Sequence, residues 1–71
     1  KTKSLIALAV AAQIPCEYCI YADTIAAKNA GATDEEIAEA VGMAALTRHW
    51  STVFHGLQID LAQFKKDFDG Q

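Results

Sequence analysis

The apolar positions fall into four stretches at helical spacing, and no stretch alternates as a strand would. In the first, about Thr2 to Gln13, Leu5, Ile6, Leu8 and Val10 place apolar side chains almost all round, which predicts a helix buried on several sides. Pro15 stops it, because the residue before a proline avoids the helical region. Pro15 also suits the first turn of a second helix, where its missing N–H is no loss. That helix is predicted from about Pro15 to Ala30, with Gly31 as the residue just past its end. Thr33-Asp34-Glu35-Glu36 reads as a capping box that opens a third helix, with an apolar face of Ile37, Val41, Ala44 and Ala45. A fourth is predicted over roughly Trp50 to Phe68, where Phe54, Leu57, Leu61, Phe64 and Phe68 follow spacings of 3, 4, 3 and 4. That is a coiled-coil-like seam. Nothing at Thr47-Arg48-His49 demands a break before it, although Ser51 could cap a separate start.

Composition fits an all-α reading. Of 71 residues 52% are hydrophobic, fourteen are Ala, and one Pro and four Gly supply little hairpin chemistry. So apolar a chain is not disordered. Six Lys and Arg against nine Asp and Glu leave a net charge of −3, which excludes a surface that tracks nucleic-acid phosphates. The longest apolar run, Leu5 to Ala12, has eight residues, far short of the ~20 that span a bilayer, so no membrane is expected. Lys1 and Lys3 before that run resemble the start of a signal peptide. There is no initiator Met, and Gln13-Ile14-Pro15 is not a small-residue cleavage site.

Length poses the sharper question. Below roughly 70–80 residues a core rarely contributes more than ~3–5 kcal/mol without a staple or a partner. Cys16 and Cys19 would close a tiny loop, so their disulfide is a weak staple. The apolar surplus therefore predicts a homo-oligomer, or a single domain over residues 1–71 belonging to a longer chain whose first helices precede Lys1.

Chemistry concentrates in Pro15-Cys16-Glu17-Tyr18-Cys19. Cysteines at i and i+3 share a helix face, and in a first turn the free N–H groups and the dipole favour a thiolate. A second thiol within reach turns an oxidised sulfur into a reversible disulfide. Glu17 opposes thiolate formation at Cys16. Two other readings stay open: a pair of small buried hydrophobes, and a zinc site completed by His49 and His55. Histidines six residues apart, thirty positions beyond Cys19, do not match usual zinc spacing.

Lys1 to Val10, Cys16-Glu17-Tyr18-Cys19-Ile20 and Gly31-Ala32-Thr33-Asp34-Glu35-Glu36-Ile37-Ala38-Glu39-Ala40 together resemble the AhpD-like superfamily, the alkylhydroperoxidase D and carboxymuconolactone decarboxylase group. The likeness is close over residues 1 to 46. It implies an all-α bundle of about four helices whose protomers assemble as trimers or hexamers. It also implies a thiol–disulfide peroxidase or reductase centred on the CxxC, with Cys19 peroxidatic and Cys16 resolving. Redox members also carry a Glu upstream and a His four residues after the second cysteine. Here the His position holds Asp23 and the Glu position falls near Ser4, so two elements of the proton relay are absent.

Asp23 lies one turn beyond Cys19 on the same face. Buried, it could take the Cys19 proton; ionised and close, it would oppose the Cys19 thiolate; exposed, it is an ordinary surface carboxylate. His49 is the candidate replacement for the relay histidine, delivered by helix packing or by a neighbouring subunit, or else a surface residue. His55 is about 240° around a helix from His49, so the two cannot face one site. It borders the seam, Trp50 belongs to the core or an interface, and Tyr18 and Tyr21 line an entrance or simply pack.

These features lead to a cytoplasmic CxxC oxidoreductase with catalytic Cys16, Cys19, Asp23 and His49, and no metal or organic cofactor. Its substrate would be a small hydroperoxide or a partner disulfide, and a cellular dithiol would reopen the Cys16–Cys19 disulfide. Two rivals remain: an enzyme acting on a small organic acid or lactone, as superfamily members without the cysteines do, and a non-catalytic oligomeric redox sensor.

Overall fold

The computed structural model describes residues 1–70 as four helices: α1 (Thr2–Gln13), α2 (Glu17–Asn29), α3 (Asp34–Gly56) and α4 (Leu61–Asp69). No strand occurs among the described residues. α1 is central and packs against both α2 and α3. Leu8 and Ala11 of α1 and Ala27 of α2 are the fully buried apolar residues. Two of these three are alanines, which lets the helices approach closely.

The turns explain the boundaries. Thr33 and Glu36 form the capping box: the Glu36 N–H donates to Thr33 Oγ1 at 3.1 Å, and the Thr33 N–H donates to Glu36 Oε1 at 2.9 Å. Gly31 takes a φ of 94° past the end of α2. There the Ala32 N–H bonds the Ala27 carbonyl and the Gly31 N–H bonds the Lys28 carbonyl, the paired bonds of a Schellman motif.

The fourth predicted helix, Trp50 to Phe68, is corrected. α3 continues through Trp50 to Gly56, and Ser51 caps nothing. The chain then turns at Gln58, with φ 55°, in a second Schellman motif: Ile59 N–H to the Phe54 carbonyl, Gln58 N–H to the His55 carbonyl. Asp60 opens α4 by accepting the Gln63 N–H at 3.0 Å. The apolar spacing therefore spans two helices folded on each other, with Phe54 and Phe64 ring centroids 5.0 Å apart. Trp50 stacks on Phe54 at 5.7 Å and Phe64 meets Phe68 in a tilted pair at 5.6 Å, extending the cluster along both helices.

The protomer is elongated, 44 × 25 × 16 Å, with a radius of gyration of 15.5 Å. A compact chain of this length would have about 11 Å. It exposes 5624 Å², whereas a folded 7.6 kDa chain typically exposes about 4,300 Å². Ile6, Val10, Leu57, Leu61 and Phe68 contribute to that surplus. Among the described residues no helix is long and apolar enough to cross a membrane.

Candidate redox centre at the start of α2

Ile14, Pro15 and Cys16 connect α1 to α2. The Cys16 N–H donates to the Ala11 carbonyl at 2.9 Å, which turns the chain back along α1. Cys16 then takes an extended backbone, φ −112° and ψ 104°, and becomes the N-cap of α2. The predicted start at Pro15 is thus two residues early: Pro15 lies in the turn and helical geometry begins at Glu17.

Cys16 and Cys19 form a disulfide with their Cα atoms 5.2 Å apart. Position decides their surroundings. Cys16 Sγ accepts the Cys19 N–H at 3.1 Å, so a sulfur fills the role usually taken by a Ser, Thr or Asp oxygen. Cys19 is the third residue of the helix and directs one of its four free N–H groups at that sulfur. Both cysteines are half-buried, beside exposed Ile14, Tyr18 and Tyr21. Tyr18 and Tyr21 therefore border the pair without forming core.

Asp23 is half-buried one turn beyond Cys19, and no hydrogen bond joins it to either cysteine. His49 is exposed on α3 and rests edge-on against Trp50, with ring centroids 4.9 Å apart. It too makes no hydrogen bond to a cysteine. His55 Nδ1 lies 2.9 Å from the Ser51 carbonyl, beside Phe54 and Phe64. Among the described residues no three His, Cys, Asp or Glu converge, so one protomer does not assemble the zinc alternative.

The sequence reading missed the clamp behind the turn. Gln13 Nε2 donates to the Ala44 carbonyl at 2.6 Å, and Arg48 Nε donates to Gln13 Oε1 at 3.1 Å. These bonds tie the end of α1 to α3 three residues before Cys16. They form one wall of a groove of about 390 Å³ that also includes Val10, Thr47 and Ser51. A glutamine at a helix end carries no sequence signal for such a bridge.

Comparison with known proteins agrees with the resemblance. The carboxymuconolactone decarboxylase family matches residues 1–61. "Uncharacterized protein 4 in cox locus" of Paracoccus denitrificans is 42% identical over 55 residues, covering 78% of this chain and 50% of that protein. The chain thus spans half the length of this curated relative. No solved structure matches the chain. With the family match over most of its length and four helices to go with it, the chain belongs to the carboxymuconolactone decarboxylase family.

Proposed function

We propose that the protein is a CxxC-dependent thiol–disulfide oxidoreductase that reduces hydroperoxides or partner disulfides. The observation that carries this reading is the Cys16–Cys19 disulfide at the first turn of α2. In the reduced pair, one thiolate attacks the substrate and the other thiol closes the protein disulfide. Two electrons pass from the two sulfurs to the substrate. A cellular dithiol then restores both thiols, and the cycle needs neither metal nor organic cofactor. Asp23, one turn from Cys19, is a candidate acceptor for a departing thiol proton. His49 is the second candidate, delivered by helix packing or by a neighbouring subunit.

Assembly is part of the proposal. The surplus of roughly 1,300 Å² over a compact protomer exceeds the ~800 Å² per partner of a standard interface, which supports a homo-oligomer. A reducing compartment such as the cytoplasm suits a pair that must be reopened.

The test is turnover of a hydroperoxide and of a model disulfide in the presence of a dithiol. Cys16→Ser and Cys19→Ser should each abolish turnover. Undiminished turnover in both variants sinks the proposal. Activity on an organic acid that survives alkylation of both thiols would favour the family's decarboxylase chemistry instead.

A further inference from the structure

Resting on that redox reading, we infer that the pair is built to exchange with disulfides, and that Cys16 is the attacking sulfur. This order is the reverse of the one the family resemblance implies.

The first argument is where negative charge is held. Cys16 Sγ occupies the N-cap and receives the Cys19 N–H at 3.1 Å. A thiolate at this atom keeps that bond in its stronger, charge-assisted form and sits at the positive end of α2. Among the described residues no N–H donates to Cys19 Sγ, and the Cys19 N–H is the one given to Cys16. The carboxylates work in the same direction. Glu17, beside Cys16, is exposed, and water screens it. Asp23, one turn beyond Cys19, is half-buried and screened less, so its charge opposes a thiolate on Cys19.

The second argument is the leaving group. Splitting an O–O bond expels an alkoxide or hydroxide, a strong base that needs a general acid at the moment of cleavage. Among the described residues no titratable side chain is hydrogen-bonded to either sulfur, and the relay positions hold Ser4 and Asp23. A carboxylate accepts a proton at neutral pH; it does not supply one. A disulfide expels a thiolate, which leaves without that help. Ile14 and Tyr18, 64% and 84% exposed beside Cys16, give an apolar disulfide a surface to approach.

The steps balance. The Cys16 thiolate attacks one sulfur of R–S–S–R′, forming a Cys16–S–S–R mixed disulfide and releasing R′–S⁻. The Cys19 thiol gives its proton to that thiolate directly or through water, then attacks Cys16 Sγ as the thiolate. R–S⁻ leaves and takes a proton from water. The Cα separation of 5.2 Å is within the range that lets the two sulfurs join without backbone rearrangement. The net change is one protein dithiol to disulfide and one substrate disulfide to two thiols.

The test uses reduced single-cysteine variants and bis(2-hydroxyethyl) disulfide, with the adduct followed by mass. C19S, which keeps Cys16, should form the mixed disulfide at least about threefold faster than C16S, because one unit of thiol acidity raises the thiolate fraction about tenfold while its nucleophilicity falls by about a factor of three. Substoichiometric iodoacetamide on the reduced wild-type chain, read by peptide mapping, should label Cys16 ahead of Cys19. That measurement decides the order even if a variant misfolds. Reduced wild type should also be oxidised faster by the disulfide than by an equal concentration of tert-butyl hydroperoxide. Equal or preferred labelling of Cys19, or faster oxidation by the hydroperoxide, overturns this inference and leaves the redox reading standing. Failure of both oxidants to form the Cys16–Cys19 disulfide overturns both.

Discussion

At Gln58 an L-amino acid holds a φ of 55°, a conformation that crowds its Cβ against the neighbouring carbonyl. Glycine meets no such cost, and Gly31 takes the equivalent place after α2. Gln58→Gly should therefore raise stability by about 0.5–1 kcal/mol, visible as a higher thermal midpoint; a lower one would show that the Gln58 side chain contributes more than its backbone strain costs. Gly31 was legible because glycine advertises the left-handed turn, whereas nothing in a glutamine does. The capping box was legible for the same local reason, and it brings a pH dependence. The backbone N–H of Thr33, then the Lys1 ammonium, hold the Glu36 carboxyl below its ordinary value of 4.5. A carboxyl depressed in the folded state stabilises it above the unfolded value and loses that contribution as pH falls through the folded one. Thermal midpoints of wild type and Glu36→Gln should thus converge from about pH 6 down to about pH 3, with wild type higher at the upper end. A constant difference across that range would contradict the assignment.

Between elements, the informative failure is the seam from Phe54 to Phe68. Spacings of 3 and 4 repeat across the turn, where Phe54 and Phe64 meet while Leu57, Leu61 and Phe68 stay exposed, and periodicity alone does not report the reversal. The signals that did were Gly56 ahead of the turn and Asp60 three residues before Gln63, a cap pattern hidden inside an apparently unbroken stripe. The cysteine pair was legible as a pair, since spacing alone puts i and i+3 together. Its offset was not: Pro15 marks a helix start by type, and the bond from the Cys16 N–H to Ala11 moves that start to Glu17. Behind the turn, Gln13 bridges α1 to α3 through Ala44 and Arg48. Gln13→Ala leaves those partners to water and should cost about 0.5–1.5 kcal/mol by denaturant midpoint. If the clamp also positions the turn, the rate of Cys16–Cys19 closure should fall in the same variant. Unchanged stability would show the bridge to be incidental.

For the whole molecule, few residues are fully buried and large apolar side chains stay exposed on α1, α3 and α4. Leu61, 63% exposed in the first turn of α4, separates folding from assembly. An acid there suits the helix dipole, so Leu61→Asp should keep the protomer's helices while placing a charge in any apolar interface. Sedimentation should then show the variant at protomer mass and wild type above it; equal masses would remove the assembly proposal. Assembly was the part least legible in the sequence, because a surplus of apolar residues says that something must cover them without saying where. The small buried core has a thermodynamic consequence of its own. Heat-capacity change and denaturant sensitivity both scale with the surface exposed on unfolding, and an isolated protomer has little left to expose. A steep, high-heat-capacity transition in this protein would therefore belong to the dissociation of copies, and its midpoint would climb with protein concentration by mass action.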